Sequence, residues 1–247
     1  MLSVNSRLYH PINTLKPMGK NIWIVDGERI SFYGLPFTTR MTVIKLSSGK
    51  LLIHSPVPLT TTLKKELDDL GPVSYLISPN KIHYYYIGDF QKSYPEAITY
   101  ASPGVRRRAE KFKVSIHWDQ NLDSPTPHDW EPEIQSVVLR GSRFMEEVIF
   151  FHQPSNTLIV TDFIENFEKD KVPFFLRVLA RIGGALAPNG GLTLDQRFTY
   201  WGRENQLRES LRKILDFDFT QIILAHGACI TKNAQAEFRR ITRWVMK

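Results

Sequence analysis

The first half of the chain is written mainly in short apolar runs broken by turn-forming residues. Residues 21–25 (Asn-Ile-Trp-Ile-Val) alternate and run into Asp26-Gly27, which predicts a strand closed by a turn. Residues 41–46 and 50–53 flank Ser47-Ser48-Gly49 and predict a hairpin. Leu63, Leu67 and Leu70 recur at helical spacing within residues 61–70, and Gly71 marks the end of that helix. Residues 73–77 form a compact apolar run, read as a buried strand, that stops at Ser78-Pro79-Asn80.

Beyond it the pattern predicts a helix over 85–94, a short strand over 97–100 and a helix over 103–112. Residues 119–132 are rich in Pro, Asp and Ser and read as a surface connection. Strands follow at 134–139, 147–152 and 158–162. Residues 172–187 are the most apolar stretch. Arg177 and Arg181, four apart, share a face opposite Phe175, Val178, Leu179 and Ile182, which predicts an amphipathic helix covering a core or a cleft. A Pro-Asn-Gly-Gly loop at 188–191, a helix over 204–214, a buried strand over 221–225 and a helix from about 233 complete the reading. No repeat or low-complexity linker interrupts it, so residues 1–247 are expected to form one domain. The mixture of β meander and β/α alternation suits two sheets with helices outside, a four-layer αββα plan of the α/β (α+β) class.

Composition narrows the function. Apolar residues make up 42% of 247, with 15 Phe, 9 Tyr and 5 Trp, enough to fill a sizeable core. Cys229 is the only cysteine, which rules out an internal disulfide and a four-cysteine zinc site. The net charge of +7 raises the question of an acidic partner. Its densest stretch is Arg106-Arg107-Arg108 with Lys111 and Lys113, whose side chains diverge on a helix and read as a solvated face. No nucleic-acid motif accompanies them, so no nucleic-acid partner is expected. Residues 1–20 lack the apolar run of a signal peptide. Residues 172–187 are too short and too charged to span a bilayer, so no transmembrane segment is expected and the default location is cytoplasmic.

Polar residues just past buried strands are the places to look for chemistry. His83 follows the 73–77 run, Asp162 ends Leu158-Ile159-Val160-Thr161, and His226 ends Ile222-Ile223-Leu224-Ala225. With these residues the chain resembles the metallo-β-lactamase superfamily. That superfamily places His-x-His-x-Asp-His-x-Gly after a buried strand, and this chain has Lys81-Ile82-His83-Tyr84-Tyr85-Tyr86-Ile87-Gly88 there. Registered on Ile87-Gly88, His83 takes the second histidine's place, while Lys81, Tyr85 and Tyr86 replace the first histidine, the aspartate and the last histidine. Gly141-Ser142 resembles the later Gly-His, with serine for histidine. Asp162 matches the bridging aspartate and His226-Gly227 the final His-Gly. Within the superfamily the chain resembles a group of uncharacterised proteins of bacteria and photosynthetic organisms. The matching stretches include His54-Ser55-Pro56, Pro79-Asn80-Lys81, Leu194-Asp195-Gln196-Arg197, Tyr200-Trp201-Gly202-Arg203 and Leu224-Ala225-His226-Gly227.

The resemblance implies a degenerate metal site. His83, Asp162 and His226 keep ligand types, too few for two ions and enough for one zinc, iron or manganese ion. In that reading the protein is hydrolase-like, Asp162 is the catalytic residue that binds metal and orients water, and the two histidines complete the shell. Lys81, Tyr85, Tyr86 and Arg197 would contact a small-molecule ligand, Arg197 as a fork for a carboxylate or phosphate; an inter-element salt bridge is the other reading of Arg197. A rival stays open: the Lys81 ammonium pairs with Asp162, the tyrosines fill the vacated volume, and the protein is a non-catalytic binding or scaffold protein. His54 is either a further contact or a core residue. His10, His117, His128 and His152 read as surface or packing residues, and Cys229 as a small buried hydrophobe. Nothing here names a substrate.

Overall fold

Seven strands run in sequence order across the first of two sheets: β1 (Lys16–Gly19), β2 (Ile22–Phe32), β3 (Leu35–Lys45), β4 (Leu51–His54), β5 (Val73–Ser78), β6 (Ile98–Ala101) and β7 (Gln120–Asn121). The computed structural model describes residues 7–32, 34–125 and 128–247. The signal-peptide expectation for residues 1–20 therefore lies partly outside the described residues, as does the side chain of Phe175. The described residues divide into two compact units, 9–134 and 135–247 together with 7–8.

In the N-terminal unit β1 to β4 pair antiparallel, and β4 to β7 pair parallel. Parallel neighbours need crossovers, which α1 (Thr61–Leu70), α2 (Ile87–Ser93) and α3 (Val105–Lys111) help supply. The β3–β4 hairpin and α1 fall where the pattern placed them. Thr60 caps α1 by accepting from the Leu63 N–H, and Leu63 and Leu67 are fully buried.

Two expectations in this unit need correction. Asp26-Gly27 is not a turn but lies inside β2, where the register against β3 shifts between Asp26 and Arg29. Glycine is there for close approach: a Cβ on Gly27 would lie 2.4 Å from Thr39 Oγ1. Asp26 is buried and held by Lys16 Nζ at 2.8 Å and Arg40 Nη2 at 2.7 Å. Residues 119–132 are more than a surface connection. Trp130 is fully buried, its ring 4.6 Å from Tyr100 and 5.2 Å from Tyr75, and Leu122 is buried too. The average polarity of the segment hid these two anchors. On α3, Arg106 is tied down as well, donating to Trp118 O, Gln120 O and Asn121 Oδ1.

The C-terminal unit carries a four-stranded sheet in the order β11-β10-β9-β8, from β8 (Ile134–Leu139), β9 (Glu147–His152), β10 (Thr157–Val160) and β11 (Gln221–Leu224). β9 and β10 are antiparallel, β10 and β11 parallel. Its helices are α4 (Phe174–Gly183), α5 (Leu194–Phe198), α6 (Glu204–Leu215) and α7 (Ala234–Thr242). Leu207, Leu211 and Ile214 of α6 and Phe238 and Ile241 of α7 join Leu158, Val160 and Leu224 in one core. Amphipathic spacing on both helices accounts for this, since each presents one apolar stripe to the sheet.

α4 was expected to cover a core or a cleft, and its apolar face is not packed on a core. Phe174 is 78% exposed, Ile182 67%, Leu179 63% and Val178 56%. Arg177 turns back instead, donating from Nε to Val172 O with its guanidinium 5.9 Å from the Phe174 ring centre. Among the described residues no helix is long and apolar enough to cross a membrane.

Candidate metal centre

β10 and β11 are parallel and in register, Val160 opposite Leu224. Asp162 and His226 each lie two residues further on, so the two strands deliver them side by side. Asp162 Oδ1 stands 3.1 Å from His226 Nε2, and both residues are buried. Gly227 is required after His226. It sits at φ 98°, in the region that favours glycine, and a Cβ there would lie 2.1 Å from Asn166 O. Asn166 in turn clamps this turn, donating from N to His226 O and accepting from Ala228 N.

The backbone that carries Asp162 is held by a residue the sequence reading missed. Glu147 is buried, and its carboxylate accepts from Thr161 N at 2.7 Å, Asp162 N at 2.8 Å and Phe163 N at 3.1 Å. Burial and the nearby Asp162 raise its pKa, and the N–H donors oppose that. The available signal was an acid opening an otherwise apolar strand, Glu147-Val148-Ile149-Phe150-Phe151. Glu165 was also missed. Burial pushes its carboxyl up to about 7, with His226 opposing and Asp162 and Asp195 adding to the rise.

His83 belongs to the N-terminal unit, in the loop between β5 and α2. Asn80 Oδ1 shapes that loop by accepting from the N–H groups of Ile82 and His83. His83 Nδ1 and Ser55 Oγ share a hydrogen bond of 2.6 Å. Ser55 is held at φ 56°, a left-handed conformation uncommon outside glycine, and its N–H donates to Ile77 O. That hydrogen bond orients the His83 ring, the role such a partner plays for a metal-ligating histidine. His54 is buried next to this histidine. Burial, and then the charge of His83, lower its pKa to about 3.

The replaced positions are chemically distinct. Lys81 is partly buried, and burial, then Arg108 and Arg107, lower the pKa of its amine. Tyr84 is buried in the core, whereas Tyr85 is 67% exposed. Tyr85 and Tyr86 pack edge to face at 5.0 Å, and burial and then Tyr85 raise the Tyr86 hydroxyl. Ser142 caps a turn, accepting from Phe144 N and Met145 N, and bonds Thr199 Oγ1 at 2.8 Å. Arg197 donates from Nε to Leu192 O and lies over the Trp244 ring. His152 is buried with Nδ1 2.7 Å from Ser155 Oγ, and His128 stacks on Trp130. Cys229 is only partly buried, less than a core hydrophobe would be.

Two imidazoles and one carboxylate suit a single ion of zinc, iron or manganese. They do not suit two. Lysine in its ammonium form has no lone pair to give, and the Ser142 hydroxyl is engaged in its turn.

Solved structures similar to this chain include metallo-β-lactamases and a flavodiiron core. The chain superposes on the DIM-1 metallo-β-lactamase exposed to ceftazidime with a TM-score of 0.62 at 12% identity, over 94% of this chain and 96% of that one. The metallo-β-lactamase from Hirschia baltica gives 0.62 at 13%, over 94% and 97%. The metal-soaked Flv1 flavodiiron core from Synechocystis sp. PCC6803 gives 0.62 at 12%, over 94% of this chain and 60% of that one. The fold is that of the metallo-β-lactamase superfamily, as the kept motif positions led one to expect. Residues 19–181 match the family described as Domain of unknown function (DUF4336), and the chain belongs to that family. No curated protein matches it in sequence.

Proposed function

We propose that the chain works as a single metallo-β-lactamase-like domain in the cytoplasm. In this proposal it holds one zinc, iron or manganese ion through His83, Asp162 and His226 and acts as a hydrolase on a small-molecule ligand. The observation that carries the reading is the buried Asp162–His226 pair, 3.1 Å apart on adjacent parallel strands. A carboxylate and an imidazole are brought out of water together there, and a bound cation would offset that cost. Ser55 supports His83 by a hydrogen bond to its Nδ1, as partners of metal-ligating histidines do.

A bound ion would supply Lewis acidity and a water of lowered pKa. The chain's own part is positioning. Glu147 fixes the backbone of Asp162, Asn166 and Gly227 fix His226, and Ser55 orients His83. Asp162 would orient the attacking water, while Lys81, Tyr85 and Tyr86 would contact the ligand; Arg197, expected to join them, instead lines a cleft that includes neither Asp162 nor His226.

Elemental analysis of tag-free protein tests this directly. About one ion per chain is expected, released by His83→Ala and by His226→Ala. Protein that stays metal-free after exposure to zinc, iron and manganese refutes the reading.

The second reading, a non-catalytic binding or scaffold protein in which Lys81 and the tyrosines replace the metals, is favoured by one observation. Lys81 is partly buried, and Arg108 and Arg107 stand close enough to lower the pKa of its amine, so a fixed positive charge is concentrated at this loop without any ion. It predicts metal-free protein and a melting temperature that drops sharply in Lys81→Met.

A further inference from the structure

The C-terminal unit contains a cleft of about 130 Å³ whose lining includes Gly190, Gly191, Arg197, Arg240, Arg243 and Trp244. Neither Asp162 nor His226 lines it. Three guanidinium groups on so small a space need an explanation, because like charges repel. Local partners account for only one of them. Arg240 donates from Nε to Glu237 Oε2 and from Nη2 to Gly190 O, both at 2.8 Å.

The other two arginines are underused. Arg197 spends Nε on Leu192 O at 3.0 Å and stacks 5.4 Å from the Trp244 ring centre. Its two terminal nitrogens have no protein acceptor among the described residues. Arg243 has no side-chain hydrogen bond or ion pair among them. Arginine offers five N–H donors in a rigid fork that matches a planar or tetrahedral oxyanion. Trp244 holds the Arg197 plane in place, so part of the ordering cost of binding is already met. Burial, then Arg240 and Arg243, lower the pKa of Arg197, an electrostatic tension that an anion would relieve.

We propose that this cleft binds a small oxyanion, a phosphate or carboxylate group, through Arg197 and Arg243 with Arg240 as a fixed positive wall. Its volume matches about four waters at roughly 30 Å³ each, well below the ~300 Å³ at which drug-sized pockets begin. One oxyanion group fits; a whole metabolite does not. This site is independent of the proposed ion and stands if that proposal fails.

The test is calorimetric titration of the full chain at low ionic strength with inorganic phosphate, phenyl phosphate and acetate. Saturable binding is expected, weakened about tenfold or more by Arg243→Ala and by Arg197→Gln, the scale of a lost charge-assisted hydrogen bond. Arg243 is exposed, so its removal should leave the fold intact, which melting without ligand checks. Arg107→Ala, an exposed arginine on α3, should leave affinity unchanged. Tighter binding of phenyl phosphate than of phosphate identifies a phosphorylated molecule as the source, and equal binding identifies the free ion. The proposal is overturned by an absence of saturable binding, by full affinity in Arg243→Ala, or by an equal loss in Arg107→Ala.

Discussion

Glu147→Gln is the substitution that most directly tests how the candidate centre is built. The native carboxylate accepts three backbone N–H bonds, one on Oε1 and two on Oε2. Glutamine has one acceptor oxygen. Its NH₂ must face either the Thr161 N–H or those of Asp162 and Phe163, leaving at least one buried donor facing another donor. Each such loss costs about 1–3 kcal/mol, and the bonds that remain lose their charge assistance. Relief of repulsion with Asp162, and of the cost of burying a carboxylate, offsets part of this. The net expectation is a loss of about 2–4 kcal/mol. For a chain of this size that corresponds to roughly 4–16 °C in melting temperature. Urea unfolding at neutral pH gives the free energy directly. Because the same backbone carries Asp162, ion affinity measured by chelator competition should also fall about 10- to 100-fold. A Glu147→Gln protein within ~0.5 kcal/mol of wild type, the range of ordinary surface changes, would refute the reasoning.

Three further outcomes are expected. His54 is held at a pKa of about 3 against a usual 6.5. Below pH 6.5 the unfolded chain takes up a proton that the folded state refuses, so stability falls with acid until about pH 3, by about 2 kcal/mol at pH 5. Urea titrations across this range should show the slope in wild type and lack it in His54→Leu; equal slopes would count against the assignment. Arg40→Met leaves the buried Asp26 with Lys16 alone and should cost about 3–5 kcal/mol, with much of it regained in Asp26→Asn/Arg40→Met. A double variant no better than the single would contradict this. On α4, Val178→Ser and Ile182→Gln should each change stability by no more than ~0.5 kcal/mol in thermal unfolding, because both side chains are already in solvent. A loss above about 2 kcal/mol would mean that the face is covered.

Where local pattern and tertiary packing agree, the fold was legible in the sequence. α1 is an example: its leucine spacing and Gly71 stop marked the helix, and the Thr60 cap found in the structure agrees with both. The failures have physical causes. Asp-Gly is a strong turn signal, but at residues 26–27 the glycine serves close contact with Thr39, and the aspartate is satisfied by two cations from β1 and β3. Such long-range partners leave no local trace. α4 shows the opposite limit. Periodicity correctly marks an amphipathic helix, yet it carries no information on which face meets protein. Here the apolar arc faces out and Arg177 folds back onto the chain.

The candidate site divides along the same line. Asp162 and His226 could be picked out because strand ends are visible in sequence, and two parallel strands in register make neighbours of the residues just past them. That juxtaposition depends on the sheet and tolerates rewiring of the loops. The positions at which this chain differs from the superfamily motif lie in loops, where side chains do local hydrogen-bonding work: Ser142 caps its own turn, and Asn80, beside Lys81, shapes the His83 loop. Glu147, Ser55 and Asn166 escaped notice because their contribution is to hold other residues' backbone or ring atoms, which residue type alone does not announce. An aspartate and a histidine kept only for packing would not require an acid buried across three backbone donors to hold one, and a glycine whose Cβ would strike Asn166 O to hold the other. That supporting structure is the physical argument behind the proposal of one ion at this pair, which elemental analysis decides.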